Sequence, residues 1–271
     1  MLDKGILEES DASLRPPTFA TVEEERAHVK ARLVGAYRLF TKFGYEHWVA
    51  GHISVRDPGH EDRFWVNPLG TSWRLIQPDD LVCVDFDGNV VTELGGPDVP
   101  VNGAAFAIHS QIHRVRPGIH AVAHAHTPFG RAWAATGRPL EAISQDHCAF
   151  HGDHGVLDAY TGAVYDAADA DPFAQALGDG KALILKHHGL LTVGETVDEA
   201  AFWLHLLERC CQTMLLVAAL APRPDGRPGY DVLDDDIAAS TRKQVGEPLH
   251  GWRGFQPLYA ELVAEQPDLT R

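Results

Sequence analysis

Two groups of histidines have the residue type and the spacing of a metal site. The chain contains 16 histidines in 271 residues, and two of them, His124 and His126, are separated by a single residue. On a β-strand, residues i and i+2 point to the same face, so these two imidazoles would lie side by side. A third imidazole can come from the segment 186–189, which holds His187 and His188 at the end of another apolar strand. We expect one of these two to be a ligand and the other to support it or to face solvent.

Three neutral imidazoles favour a catalytic metal over a structural one. Three protein ligands leave coordination positions open for water or substrate, an arrangement typical of catalytic zinc and also available to Mn or Fe(II). A simpler interpretation also exists, since a His-X-His pair can be two polar residues on a half-exposed strand. The spacing by itself does not separate the two interpretations.

The segments around these histidines predict a mixed α/β domain. The alternating stretch 119–126 predicts the strand that carries the pair, and the apolar stretch 182–185 predicts the strand before His188. Further strands are predicted at 52–55, 64–66, 81–84 and 190–193, and helices from a Thr21 cap to 43–44, over 104–115, and from Thr196 to Pro222. We expect an N-terminal arm over residues 1–20, which contains Pro16 and Pro17, and a single domain over residues 21–271.

The charge balance bears on the kind of partner. The formal net charge is −15 at pH 7. Nucleic acid or an anionic membrane would require a basic surface, so neither is expected as a partner. A small-molecule substrate remains as the expected partner.

The cysteines and the N-terminal segment indicate a compartment. The four cysteines show no Cys-X-X-Cys spacing, which favours free thiols in a reducing environment. The first residues carry charges where a signal peptide needs an apolar run, and the longest apolar stretch, 214–221, is too short to span a bilayer. We therefore expect a cytoplasmic protein.

Several ordered motifs resemble the class II aldolase/adducin family over roughly residues 25–220. They are the stretches 51–56, 67–70, 109–126 and 188–191. The resemblance implies an α/β fold: a single mixed three-layer domain whose central, largely antiparallel sheet is flanked by helices. It implies His188, the histidine just before the glycine, as the third metal ligand beside His124 and His126. It also implies a homotetramer with metal sites near subunit interfaces, where the aromatic run 252–259 could cover a neighbour's cleft.

Two departures from the family's phosphosugar aldolases bear on the reaction. In those aldolases a glutamate on the helix before the His-X-His strand acts as general acid/base, and the register from His109 to His124 places Ala105 there. They also hold the substrate phosphate with a loop asparagine and small hydroxyl residues, where this chain has His52 and the pair 103–104. An apolar replacement cannot neutralise a phosphate dianion. We therefore do not expect a sugar phosphate as the substrate.

Other polar residues are candidates for roles beside the metal. We expect catalytic roles for His109 and Gln145, although a helix-facing histidine such as His109 is equally well a satisfied core residue. The run 145–147 is polar within apolar surroundings and follows the His-X-His strand. The candidates for substrate binding are His52, Asn67, Asp146 and His147.

In lacking this glutamate, the chain resembles the branch of the family that acts on aromatic carboxylates. That branch includes a pyridine-dicarboxylate decarboxylase and the aminocoumarin-pathway non-haem iron oxygenases. This resemblance implies carbon–carbon cleavage of a 4-hydroxyphenylpyruvate- or 4-hydroxymandelate-type acid, with Fe²⁺ favoured and Zn²⁺ or Mn²⁺ as alternatives. The alternatives are a non-oxidative decarboxylase or an aldolase, and a non-catalytic adducin-like interaction module. The last would be expected to have lost the three histidines, and the chain retains them.

Overall fold

A seven-stranded sheet runs through the computed structural model, which describes residues 14–160, 162, 164 and 170–270. The strands are β1 (His52–Arg56), β2 (Arg63–Val66), β3 (Val82–Asp85), β4 (Ala121–Ala125), β5 (His154–Leu157), β6 (Ala182–Leu185) and β7 (Gly189–Gly194). Their spatial order is β3-β2-β1-β4-β7-β6-β5. Every neighbouring pair is antiparallel except β5–β6, which is parallel. The largely antiparallel sheet expected above is thus confirmed.

Helices cover both faces of this sheet. They are α1 (Val22–Lys42), α2 (Gly103–Val115), α3 (Pro128–Ala134), α4 (Gln145–Cys148), α5 (Asp171–Leu177), α6 (Val197–Ala218), α7 (Asp235–Val245) and α8 (Pro248–Glu265). Helices α1, α6 and α8 share a hydrophobic cluster with one face, whereas α2 and α5 pack on the other face. The result is the mixed three-layer α/β architecture that was predicted.

The alternation of β1 and β4 decides where their polar side chains point. Ala123 packs in the cluster of α1 and α6, whereas Val122 packs in the cluster of α2. His52 pairs with His124, and Ser54 pairs with Val122. Because alternate residues of a strand face opposite sides, His52, Ser54 and His124 all face the α2 layer.

The predicted elements match the structure best in the first helix and in the strands. Thr21 caps α1, and its hydroxyl accepts a hydrogen bond from the backbone N–H of Glu24 at 3.2 Å. The predicted arm is described only from residue 14, so its first 13 residues lie outside the described part. The long helix predicted to reach Pro222 ends at Ala218, since helix α6 gives way to a turn before the proline.

The aromatic run 252–259 forms part of the last long helix. It lies within α8. There Trp252 is 7% exposed and Phe255 is 1% exposed. These rings pack on the chain's own core, because α8 lies against α1 and α6. These two rings are therefore part of the core of the described chain, and a role of the run at a subunit interface stays a prediction.

The four cysteines are buried in this fold. Cys83, Cys148, Cys210 and Cys211 are all free and buried. Burial raises the pKa of the Cys83 thiol to about 12, so this thiol stays protonated at neutral pH.

Within the described ranges, no helix has both the length and the apolar content that crossing a bilayer requires.

Candidate metal centre

Three histidines at the ends of two neighbouring strands, β4 and β7, converge at one end of the sheet. His124 lies in β4, His126 follows it, and His188 lies in the turn between β6 and β7. One nitrogen atom from each side chain lies within 4.8 Å of the other two. The convergence follows from the pairing of β4 with β7, in which His124 lies opposite Leu191. Neighbouring His187 is exposed and has a φ of 59°, and His188 is the member of the pair that joins the group.

The donor atoms of this group suit a divalent metal. The Nδ1 atom of His124 lies 2.8 Å from the backbone oxygen of Leu190 and donates to it, which leaves Nε2 free to act as a ligand. Burial lowers the pKa of His124 well below its usual value, and the neighbouring histidines lower it further. Burial likewise lowers the pKa of His126 to about 4. Neutral imidazole is the form that binds metal, so the three side chains are ready to coordinate at neutral pH.

Two glycines allow the backbone to pass close to these histidines. A Cβ on Gly189 would lie 2.8 Å from the backbone oxygen of Ala125 and 3.5 Å from Cε1 of His124. A Cβ on Gly51, where φ is +90°, would lie 3.2 Å from the backbone oxygen of His124. A side chain at either position would push the turn away from β4. The glycines that border the motifs are thus part of what brings the histidines together.

A cavity of about 360 Å³ opens beside the three histidines. The other lining residues are Val49, Ala50, Gly51, His52, Leu69, Asn102, Gly103 and Ala104. Among these residues, all within the described chain, there is no carboxylate, lysine or arginine. Ala105, at the expected acid/base position, is buried with Phe64 and Val66. The wall therefore provides neither a carboxylate base nor a cation for a phosphate.

Asn102 is a lining residue that the sequence analysis missed. Its side-chain oxygen accepts from the backbone N–H of Ala104 at 2.9 Å and so caps α2. Its side-chain nitrogen donates to the backbone oxygen of Val49 at 2.9 Å. Asparagine just before a predicted helix is a common N-cap signal, and it could have identified this residue. Asn102 thereby links the start of α2 to the loop on the other side of the cavity.

The structure brings His52 to the cavity and places His109 directly behind it. His52 is 2% exposed, and its Nδ1 atom lies 2.7 Å from Nε2 of His109. His109 is completely buried and does not reach the cavity wall. Asn67 lies under the neighbouring loop, where its side-chain oxygen accepts from the hydroxyl of Tyr37 at 2.7 Å. Of these three residues, only His52 is in a position to contact a ligand in the cavity.

The polar run 145–147 lies elsewhere in the protomer. It forms the short helix α4, which packs against α6 and α7. Gln145 and Asp146 are exposed. His147 is buried, with its Nε2 atom 3.2 Å from the backbone oxygen of Cys210. None of the three lines the cavity of the described protomer.

A buried glutamate on α6 holds the segment that follows His126. Glu208 is 2% exposed and accepts hydrogen bonds from the Thr127 hydroxyl and from the backbone N–H groups of Phe129 (2.9 Å) and Gly130 (2.6 Å). These N–H groups belong to the first turn of α3, which begins directly after the metal-site residues. Glu208 therefore anchors the backbone on one side of the site.

We expect Glu208→Gln to weaken both the fold and metal binding. An uncharged amide accepts more weakly, so the free energy of unfolding should fall by about 2 kcal/mol. Displacement of His126 should weaken zinc binding by about 10-fold or more. Urea unfolding of the metal-free protein and zinc titration measure the two effects. The matched control is Glu261→Gln on α8, whose side chain is 60% exposed. Equal zinc affinity in the two variants would contradict this role of Glu208.

Acidification should destabilise the metal-free protein between pH 7 and pH 5. Burial lowers the pKa of His113 to about 3, below the value of ~6.5 that an unfolded chain would have. The unfolded state therefore takes up a proton that the folded state refuses. The stability from this neutral histidine is complete above pH ~6.5 and is lost as the pH falls, by about 1.4 kcal/mol per pH unit. His113→Leu should reduce the pH slope of the unfolding free energy by that amount. An unchanged slope would show that His113 is not the group whose protonation destabilises the fold.

Comparison with known proteins gives this fold and site a family. Residues 31–215 match the family model described as the class II aldolase and adducin N-terminal domain. The chain is 43% identical over 256 residues to a 4-hydroxy-3-prenylphenylpyruvate oxygenase/4-hydroxy-3-prenylbenzoate synthase of Streptomyces roseochromogenus subsp. oscitans, covering 94% of this chain and 89% of the relative. It is also 43% identical over 257 residues to decarboxylase NovR of Streptomyces niveus, covering 94% and 92%.

A solved structure agrees with this assignment. The structure of L-fuculose 1-phosphate aldolase from Glaciozyma antarctica PI12 superposes with a TM-score of 0.84 at 40% identity, covering 95% of this chain and 97% of that one. The family match, the relatives and the shared fold all extend across the strands that carry the three histidines. The chain therefore belongs to the class II aldolase and adducin family.

Proposed function

We propose that this protein cleaves a carbon–carbon bond of a non-phosphorylated aromatic 2-oxo or 2-hydroxy acid at a divalent metal held by His124, His126 and His188. The main support for this proposal is the composition of the cavity. Three neutral imidazoles lie beside a wall that has no carboxylate and no cationic side chain. Relatives that cover nearly the whole chain are named as an oxygenase and a decarboxylase. When bound, a divalent ion would supply Lewis acidity, and iron would add a site for dioxygen.

The favoured form of the reaction is oxidative decarboxylation with Fe²⁺. 4-Hydroxyphenylpyruvate and dioxygen would give 4-hydroxymandelate and carbon dioxide. 4-Hydroxymandelate and a second dioxygen would give 4-hydroxybenzoate, carbon dioxide and water. No protein carboxylate is needed as general base, which agrees with Ala105 being part of the hydrophobic core. Apolar side chains on the wall, Val49 and Leu69, provide a surface suited to an aromatic ring.

A phosphosugar aldolase is the second candidate, because the similar solved structure carries that name. The described cavity wall argues against it for this chain, since it has neither the acid/base carboxylate nor a side chain that would neutralise a phosphate. For the same reason, Ala105→Glu alone should not create an efficient aldolase. A carboxylate placed at this buried position would also disturb the packing of Phe64 and Val66.

The deciding experiment is anaerobic reconstitution with Fe²⁺, Mn²⁺ or Zn²⁺, followed by oxygen-uptake and carbon dioxide assays. The substrates are 4-hydroxyphenylpyruvate, 4-hydroxymandelate and fuculose 1-phosphate. Uptake of one dioxygen per carbon dioxide released, with iron alone, supports the proposal. Equal rates with and without oxygen in the manganese or zinc protein would select a simple decarboxylase. Efficient cleavage of fuculose 1-phosphate by the unaltered protein would refute both.

A further inference from the structure

A row of four buried polar side chains leads away from the cavity beneath the metal centre. The Nδ1 atom of His52 lies 2.7 Å from Nε2 of His109, whose Nδ1 atom lies 2.7 Å from the hydroxyl of Ser54. That hydroxyl lies 2.9 Å from Nε2 of His113, and Nδ1 of His113 lies 3.3 Å from the backbone oxygen of Ile119. Each of the four side chains belongs to a residue that is at most 2% exposed.

The row follows from the pairing of one strand with one helix. His52 and Ser54 are two residues apart on β1 and both face the α2 layer. His109 and His113 are four residues apart on α2, so they lie on the same face of that helix. The two pairs interdigitate, which gives every member a hydrogen-bond partner on each side except at the cavity end.

The carbonyl at the far end determines the direction of every hydrogen bond. Ile119 can only accept there, so His113 carries its hydrogen on Nδ1 and accepts at Nε2 from the Ser54 hydroxyl. Ser54 then accepts from Nδ1 of His109, which leaves Nε2 of His109 to accept from Nδ1 of His52. A neutral His52 in this row carries no hydrogen on Nε2.

The neutral state of the three imidazoles agrees with their surroundings. Burial lowers the pKa of His113, at the far end of the row from the metal centre, to about 3. A charged imidazole in this row would need solvent or a carboxylate, and the row's members contact one another instead. The tautomers are therefore determined by geometry.

We propose that this row holds His52 as a permanent hydrogen-bond acceptor for a hydroxyl group of the substrate bound at the metal centre. His52 lines the cavity, and its ring centroid lies 4.8 Å from that of His124. For a 2-hydroxy acid held at the three histidines, an acceptor beside His124 would face the hydroxyl on the carbon next to the carboxylate. Ser54, His109 and His113 are then positioning residues. This inference rests on the proposed function, because it names the substrate group that the site recognises.

Selectivity for the hydroxyl follows from burial. A ligand without a hydroxyl would leave the His52 acceptor desolvated and unpaired, and such a loss commonly weakens binding by about 5- to 150-fold. The site should therefore discriminate 4-hydroxymandelate from 4-hydroxyphenylacetate, which has a hydrogen in place of that hydroxyl. Binding of the same hydroxyl to a metal ion would add to this preference, but that contribution to affinity does not depend on the row.

The test compares Ser54→Ala with Ser110→Ala in the zinc-loaded protein. Ser110 is a matched control because it is 2% exposed and its hydroxyl donates to Ala107 within α2 at 3.3 Å, outside the row. Calorimetry gives the ratio of the two dissociation constants, for 4-hydroxyphenylacetate and 4-hydroxymandelate. We expect Ser54→Ala to reduce this ratio by about 10-fold, since one hydrogen bond is worth about 1.4 kcal/mol. Ser110→Ala should leave it unchanged.

A second variant would reverse the direction of the hydrogen bonds in the row instead of interrupting them. In His113→Leu the Ser54 hydroxyl loses its acceptor and can donate to His109, which would place a hydrogen on Nε2 of His52. This variant should show the same reduced ratio. An unchanged ratio in both variants, with the fold and the zinc affinity intact, would overturn the inference. A parallel loss of zinc affinity would also overturn it, because His52 would then be a metal ligand.

A measurement without any ligand separates this inference from the proposed function. Nitrogen-15 spectra of histidine-labelled protein show which ring nitrogen of His52 carries the hydrogen. A hydrogen on Nε2 in the unaltered protein would overturn the inference alone. Failure of the zinc-loaded, unaltered protein to bind either acid would instead overturn the proposed function and, with it, the ligand named here.

Discussion

Replacing His188 with alanine is expected to abolish turnover and to weaken divalent metal binding by more than about 100-fold, since even residues that only orient a ligand commonly account for 10- to 100-fold. The site has three imidazole donors within 4.8 Å of one another. With two donors left, the ion loses its fixed geometry, so the catalytic contribution disappears as a unit. Metal content after reconstitution and carbon dioxide release measure the two effects.

The control for this prediction is the neighbouring residue of the same turn. His187 is exposed and has a φ of 59°, a backbone conformation that asparagine tolerates well. His187→Asn should therefore keep the turn, the metal and the activity. If His187→Asn lost the metal while His188→Ala kept it, the ligand assignment would be wrong. Unfolding curves of both variants show whether the fold is retained.

The largest single effect on stability is expected at Asp198. Its carboxylate accepts from both ends of the Arg32 guanidinium, and the pair joins α1 to α6. The two side chains are 4% and 9% exposed. The same guanidinium donates to Gln256 at 3.0 Å and lies 3.5 Å from the ring centroid of Tyr259, both on α8. Three helices on one face of the sheet thus meet at this ion pair.

Asp198→Ala should lower the free energy of unfolding by about 3–5 kcal/mol, because it leaves a buried guanidinium without its counter-ion. Urea unfolding of the metal-free protein measures the loss. Asp231→Ala is the matched control: its carboxylate pairs with Arg223 but is 82% exposed, so its loss should change the free energy of unfolding little. A double change, Arg32→Leu with Asp198→Leu, should recover part of the loss. Equal losses at the two aspartates would contradict the role of burial.

Local sequence signals were sufficient for the elements that carry the three histidines. The alternation through His124 and His126 predicts a strand with both rings on one face, and the structure has β4 there. The glycine after His188 marks a position where a Cβ would meet the backbone of Ala125. Such signals are readable in a sequence because strand periodicity and glycine geometry depend on neighbours only a few residues away.

The absence of an acid/base carboxylate was also readable in the sequence. Ala105 has no ionisable group in any environment, so residue type alone decides its chemistry. The structure adds that this position is in the core, and that Gly103 and Ala104 line the cavity instead. Excluding a phosphate ligand therefore required both the residue types in the sequence and the lining of the cavity in the folded chain.

Only the tertiary structure decided which polar residues share the cavity with the metal centre. The polar run 145–147 has the composition of a site, but it is part of α4, which packs against α6 and α7. His109 has the periodicity of a buried helix residue, and its contact with His52 depends on helix α2 lying on β1, 57 residues away in sequence. Strand register and helix packing arise from many long-range contacts at once. No local pattern of residues contains that information, so the row from His113 to His52 becomes visible only in the folded chain.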